Sequence, residues 1–275
     1  MEVRDRCSLC GGVCSAKGSY VVLGKYDAAI ASCDLCGFTF AINPIWLSDA
    51  YFSPMTSVDI GQLDRCVTYS AATKVLIEVF HNRRGRFLDF GGGYGLFVRR
   101  MRDLGYDFVW YDKKCPNLFA KGFEGVLKSS QRYEIITAFE VMEHMLNPGS
   151  DLEQILQSSK SFLFSTELLP KEFPGFGEWP YFGPEHGQHI SFYSATSLKR
   201  FAAAHGKKFV TDGNSLHMIT EQPISNSLFR VITNRTCASL LAQLRRRDTL
   251  LYSDFQRLRS DALKITDQRA STLIE

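Results

Sequence analysis

Long apolar runs are missing from this sequence. No hydrophobic stretch is long enough to span a bilayer, and the N-terminal Met-Glu-Val-Arg-Asp-Arg has no apolar signal region. These two absences predict a cytoplasmic chain without a membrane span. An excess of one charge is missing too: 32 Lys and Arg against 29 Asp and Glu leave +3, which implies no strong non-specific attraction to nucleic acid. The local exception is the basic cluster Arg245-Arg246-Arg247. Internal repeats and low-complexity linkers are also lacking. What is present is 275 residues, 45% hydrophobic and 22% charged, enough to bury one α/β core and an appendage.

Arg86-Phe87-Leu88 reads as the apolar start of a buried parallel strand, with Asp89 near its carboxyl end and Gly91, Gly93 and Gly95 beyond. From Leu96 to Leu104, Phe97, Met101 and Leu104 recur on one helical face. The unit is therefore a strand, a glycine turn and a helix, in which missing side chains let amides at the helix start approach a ligand. A dinucleotide loop needs a third glycine three places after its second, and Leu96 stands there. Asp89 would also crowd a pyrophosphate, whereas a carboxylate suits a ligand with an ammonium and a sulfonium. The loop favours S-adenosylmethionine (SAM) over NAD.

Leu88-Asp89-Phe90-Gly91-Gly92-Gly93-Tyr94-Gly95 is similar to motif I of class I SAM-dependent methyltransferases. That resemblance implies an α/β, Rossmann-like fold with a seven-stranded, mostly parallel sheet. It assigns cofactor contacts to Asp89, Gly91, Gly93, Gly95 and Phe139. It also puts Asp112, at the end of the strand Phe108-Val109-Trp110-Tyr111, on the ribose hydroxyls. The competing reading has Asp112 opening a turn before Lys113-Lys114. A helix from Leu63 to about Phe80 precedes the domain, and in the resembling family such a helix covers the cofactor, making Tyr51 and Arg65 candidates for contacting SAM or substrate.

Cys7-Ser-Leu-Cys10-Gly and Cys33-Asp-Leu-Cys36-Gly are two Cys-x-x-Cys-Gly knuckles around a stretch with hairpin character. Four thiolates from two such turns complete a closed tetrahedral zinc site, and the arrangement resembles a zinc ribbon. Two disulfides, or a redox pair built on one knuckle, are the competing readings. A closed zinc site is structural and does no methyl chemistry.

After a short helix over Pro116–Ala120 and a short strand over Gly125–Leu127, residues Tyr133–Ala138 read as a buried central strand that delivers Phe139 to His144 to the glycine loop's edge. Glu140, Glu143 and His144 are spaced to share one face of a helix, a partial site for a divalent cation such as Mg or Mn. Without metal, Glu-His orients the loop or contacts substrate. Glu-x-x-Glu-His also resembles the metal-binding motif of ubiquinone O-methyltransferases and of small-RNA 2′-O-methyltransferases, the latter adding a distant histidine. A strand over Ser161–Thr166 leads into Pro170–Tyr193, an aperiodic segment with Phe173, Phe176, Trp179, Tyr181 and Phe182, placed where a lid or substrate pocket is expected. Its end, Trp-Pro-Tyr-Phe-x-Pro-Glu-x-Gly-Gln-His-Ile-Ser-Phe-Tyr, resembles a subgroup of class I methyltransferases associated with glycan modification, in which the histidine matching His189 faces the active site.

The expected organisation is a zinc ribbon over residues 1–42, a linker and cofactor-covering helix over 43–82, a methyltransferase domain over 83–222 and a helical extension over 223–275 that offers an oligomer contact. The expected activity is methyl transfer from SAM to a hydroxyl of a sugar or glycan-type acceptor. His144 or His189 serves as general base, or a divalent cation on Glu140, Glu143, His144 and His189 assists. Two rivals stand beside it: an RNA methyltransferase that grips phosphates with the ribbon and Arg245 to Arg247, and a non-catalytic module that kept the fold.

Overall fold

The computed structural model describes residues 6–52, 59–128, 130–244 and 247–272, with side chains through residue 264. In chain order, β1 (Cys14–Val22), β2 (Tyr26–Cys33) and β3 (Thr39–Ala41) form an antiparallel set, and the one-turn α1 (Leu47–Ala50) precedes α2 (Gln62–Phe80). Then come β4 (Arg86–Phe90), α3 (Leu96–Asp103), β5 (Asp107–Tyr111), β6 (Tyr133–Ala138), α4 (Pro148–Ser158) and β7 (Ser159–Ser165). The remainder is β8 (Ser191–Phe192), α5 (Ala195–Ala204), β9 (Lys208–Thr211), β10 (Leu216–Thr220), α6 (Asn226–Thr233), α7 (Arg235–Leu244) and α8 (Leu251–Thr272).

The main sheet runs β5-β4-β6-β7-β10-β9, with β5, β4, β6 and β7 parallel and β10 antiparallel to both neighbours. Among the described residues it has six strands rather than the expected seven. Beyond β5 the chain makes only a parallel bridge between Trp110 and Glu124. Gly125 brings no side chain to strengthen a strand there, and a Cβ on it would press on Val109 at 2.5 Å. Pro116–Ala120 is not helical either. The Asn117 side chain bonds the Ala120 carbonyl at 2.8 Å and its amide at 2.9 Å, a local turn that competes with a helix.

Alternate strand residues point to opposite faces. Phe87, Phe108, Ile135 and Leu163 pack with α2, α3, α6 and α7, whereas Leu88, Val109, Ile136 and Phe162 pack with α4, α5 and the N-terminal cysteines. Because both faces are covered, β6 and β7 are apolar almost throughout, which makes them legible as buried strands.

β8 comes from the aromatic segment and pairs antiparallel with β3, so the second sheet is β1-β2-β3-β8. The N-terminal unit is thus completed by residues far beyond 42. The aromatic segment is strapped to it: Leu23 donates its amide to Pro184 at 2.8 Å, and Trp46 Nε1 donates to the Gly187 carbonyl at 2.7 Å. Phe182 and Phe192 are buried with Val22, Ile30 and Trp46, and Trp179 packs against Tyr181, Phe182 and Phe192. Phe182 is core of this second unit, and Phe173, Phe176, Trp179 and Tyr181, half-buried, pack against it.

At the other end, α6 and α7 bury Phe229, Ile232 and Ala238 beside α2. α8 is anchored by Asp254, whose carboxylate takes two bonds from Arg102, at 2.7 and 2.8 Å, and one from Arg99 at 2.9 Å. Arg247 Nη1 donates to the Arg83 carbonyl at 2.8 Å and its guanidinium lies over Tyr106, while Arg245 and Arg246 lie outside the described residues. No described helix is long and apolar enough to cross a membrane.

Candidate active site and cysteine cluster

Parallel strands gather ligands at their carboxyl edge, and the residues singled out in the sequence meet at that edge of β4, β5 and β6. Asp89 is 3% exposed and accepts a 2.6 Å bond from Thr137 Oγ1. Burial pushes its carboxyl up to about 7, against the Thr137 bond. Gly91 and Gly92 donate their amides to the Tyr111 carbonyl, and Gly93 donates to Asp112 Oδ2 at 2.9 Å. The other Asp112 oxygen accepts from the amides of Lys114, at 2.7 Å, and Cys115. Asp112 therefore both opens the turn of the rival reading and reaches across to the glycine loop.

The glycines differ in what they make room for. Gly91, at φ +67°, has Val141 against it, 2.5 Å from where a Cβ would stand, and Gly95, at φ +88°, has Asn117 and Ala120. Gly93, at φ +53°, faces open space. A bare left-handed turn facing open space, beside a buried carboxylate raised by desolvation, fits a ligand with a positively charged amine, and SAM meets that description. Phe139 leaves β6 between Tyr69, stacked at 4.5 Å, and Phe97 at 4.9 Å.

The stretch after Phe139 departs from the expected helix. Glu140 takes a left-handed φ of +56°, and only Met142–His144 form a single 3₁₀ turn. Glu140 swings away: it accepts from Ser165 Oγ at 2.6 Å and pairs with Arg65, which also pairs with Asp59. Glu140 thus falls outside the group that Glu143, His144 and His189 form, and the expected four-residue set is corrected to these three side chains. Glu143, His144 and His189 each offer a ligand atom, all within 4.8 Å of one another. Glu143 is 1% exposed, its Oε2 has no hydrogen-bond partner, and burial with the nearby Glu140 pushes its carboxyl up to about 8.

The two imidazoles are held in matching tautomers. His144 Nδ1 lies 3.0 Å from the Gln188 carbonyl and His189 Nδ1 lies 2.6 Å from the Tyr181 carbonyl. A carbonyl can only accept, so each Nδ1 carries the proton and each Nε2 keeps its lone pair. Burial lowers His144 to about 4 and, with His144 beside it, sets His189 well below its ordinary value, so both are neutral at physiological pH. Their rings stand 5.0 Å apart, His186 stands 4.6 Å from His189, and the Tyr51 ring meets His144 edge-on at 6.3 Å. The roles of Thr137 and of the Tyr181 and Gln188 carbonyls escaped the sequence reading because each acts through a contact that sequence does not show, and a threonine or a backbone carbonyl carries no local signature.

The four knuckle cysteines converge as a separate group. Cys7 and Cys36 sulfurs are 3.7 Å apart, Cys10 and Cys33 sulfurs 3.5 Å, and all four lie within 4.8 Å. Thiolates about 2.3 Å from a tetrahedral zinc stand about 3.8 Å apart, so the cluster has the size to hold that ion. All eight cysteines are free. The Cys36 thiol beside Cys7 holds Cys7 down at about 5, favouring a thiolate there. Gly12 stands 2.9 Å, at its would-be Cβ, from Cys33 Sγ, a spacing a side chain would spoil.

A family model described as a methyltransferase domain matches residues 65–211. No curated protein sequence matches the chain. Among solved structures, the chain is similar to the 1,6-didemethyltoxoflavin-N1-methyltransferase of Burkholderia thailandensis, at 16% identity, covering 74% of this chain and 98% of that one, with a TM-score of 0.46. It is also similar to the magnesium protoporphyrin IX methyltransferase of Synechocystis PCC 6803, at 12% identity over 63% and 90%, with a TM-score of 0.42. With the matched region holding the glycine loop, Asp89, Asp112, Glu143, His144 and His189, the chain belongs to the methyltransferase-domain family and is a SAM-dependent methyltransferase.

Proposed function

We propose that the protein is an O-methyltransferase acting on a hydroxyl of a sugar-type acceptor, with a divalent cation held by Glu143, His144 and His189. The observation that carries this reading is the convergence of Glu143, His144 and His189, whose ligand atoms lie within 4.8 Å of one another, with the Glu143 Oε2 unpartnered. Two imidazoles and a carboxylate are a recurrent donor set for divalent metals. The sugar-type acceptor rests on the resemblance of the His189 segment to the glycan-modifying subgroup.

SAM supplies an electrophilic methyl group. Asp89 would take its ammonium, Asp112 its ribose hydroxyls, and Gly91 to Gly95 leave its backbone approach clear. A hydroxyl is a weak nucleophile until it loses its proton, and a cation at the triad would lower its pKa and fix its orientation. The Gln188 and Tyr181 carbonyls keep both imidazoles in the ligating tautomer, the outer support that metal-bound histidines require. Should the acceptor proton pass directly to protein, His144 and His189 are already neutral and present Nε2 as base. Zinc on Cys7, Cys10, Cys33 and Cys36 would bind the knuckles into the core that also contains Phe162 and Phe164. Of the basic cluster that the RNA reading calls on, Arg247 is engaged with Arg83 and Tyr106, and Arg245 and Arg246 lie outside the described residues.

The test is mass spectrometry of products from methyl-labelled SAM and a panel of hydroxylated acceptors, with and without selective chelation that leaves the cysteine-bound zinc in place. Label on oxygen, lost on chelation and restored by Mn or Mg, is expected. Label on nitrogen or carbon sinks the hydroxyl reading, and unaltered transfer after chelation removes the cation. His189→Ala should lower turnover far more than SAM affinity.

A further inference from the structure

The rim of this site carries a cation without a carboxylate partner. Lys114 Nζ sits over the Tyr51 ring, 3.2 Å from its centroid, and that ring meets His144 at 6.3 Å. The ammonium thus lies within the sum of those two distances of the imidazole. Other cations at this edge are committed: Arg65 to Asp59 and Glu140, Lys113 to Asp151 at 3.8 Å. Among the described residues no carboxylate oxygen stands within 4 Å of Lys114, although Asp112 is near enough to act on its charge. Lys114 is an exposed residue, and partial desolvation pushes its ammonium below its ordinary pKa against the pull of Asp112.

Tyr51 adds a second unanswered group. Its hydroxyl is buried and has no hydrogen-bond partner. A phenol keeps its proton at neutral pH, so it stands as a donor. A buried donor left without an acceptor costs about 1–3 kcal/mol, and such a group beside a binding site is explained when a ligand supplies the acceptor. A cation resting on an aromatic face, an orphan phenol and a bare metal-ligand set then line one surface in sequence.

We propose that Lys114 and Tyr51 form an acceptor-recognition site for an anionic substituent, carboxylate or phosphate, carried by the hydroxylated acceptor. Tyr51 donates to an oxygen of the acceptor, Lys114 takes its anion, and the hydroxyl to be methylated is left toward His144 and His189. This deepens the proposed function and rests on the hydroxyl-acceptor reading for its orientation, though not for the anion site itself.

The test is calorimetric titration of the full chain, saturated with S-adenosylhomocysteine, with glucose, glucuronate and glucose 6-phosphate, and with 4-hydroxybenzyl alcohol against 4-hydroxybenzoate. At least one anionic member should bind about tenfold or more tightly than its neutral counterpart, the difference one well-placed charge pair makes. Which arm responds, carboxylate or phosphate, names the substituent. Lys114→Gln should collapse the preference, Lys114→Arg should keep most of it, and Lys113→Gln should leave it intact. Equal affinity within every pair, binding by none of the five, or a preference that survives Lys114→Gln overturns the inference. So does a Lys114→Gln chain whose loss lies only in SAM affinity, which would make Lys114 a cofactor contact. Label on nitrogen or carbon with anion preference intact would sink the hydroxyl reading alone, whereas O-methylation without anion preference would sink this inference alone.

Discussion

Asp89→Asn is expected to make the SAM-free protein more stable and a poorer binder of SAM. The Asp89 carboxyl is 3% exposed and held at about 7, chiefly by burial, against an ordinary value of 3.8. A carboxyl raised in the folded state costs nothing below its unfolded pKa. From there to its folded pKa it removes about 1.4 kcal/mol of stability per pH unit. Over this window the penalty is about 1.5 kcal/mol at pH 5 and reaches at most about 4 kcal/mol at pH 8. Asn keeps the shape and an oxygen for the 2.6 Å Thr137 bond but carries no charge. The stability gap between variant and wild type should therefore widen by about 2–3 kcal/mol from pH 5 to pH 8, or by about 5–10 °C in Tm. Scanning calorimetry of both proteins at the two pH values measures the gap, and calorimetric titration with SAM should rank them in the opposite order, with affinity falling at least about tenfold. A Tm gap independent of pH would refute the desolvation argument. Unchanged SAM affinity would refute the assignment of Asp89 to the ammonium.

Elemental analysis should find zinc bound to wild type through the knuckle cysteines, and Cys36→Ala should abolish it and lower Tm, because Cys7, Cys33 and Cys36 are buried in the same core as Phe162. Retained zinc in that variant would mean another donor set. Asp254→Ala removes two hydrogen bonds from the buried Arg102, leaving it Asp107 and the Phe108 carbonyl, and should cost about 1–3 kcal/mol. Limited proteolysis should then cut within α8 first, and an unchanged pattern would show that α8 is held otherwise. His217, fully buried between Thr211 Oγ1 and the Thr166 carbonyl, is lowered by burial to about 4. Its neutral form is favoured by the fold, so stability is complete above the unfolded value of 6.5 and is lost as pH falls toward about 4, by at most about 3 kcal/mol. Urea midpoints across that window should show a shallower slope in His217→Gln.

The sequence by itself determined what depends on local pattern. The glycine loop, the buried strands around it, the helices they alternate with and the two cysteine knuckles are each encoded within a few consecutive residues, by periodicity, by missing side chains or by ligand spacing. Where local chemistry offered the backbone a rival, pattern misled: Asn117 closed a turn where a helix was expected, and Glu140 turned left-handed and left its helical face. Only the tertiary structure decided which side chains share a site. Glu143 and His144 leave β6 some forty residues before His189, and nothing local says that the Gln188 and Tyr181 carbonyls will fix both imidazole tautomers. The same holds for the aromatic segment, whose composition suited a lid but whose burial depended on a partner sheet built from β1, β2 and β3. Composition states that a segment must hide apolar surface; which surface hides it is settled by the packing of chain that lies elsewhere in the sequence.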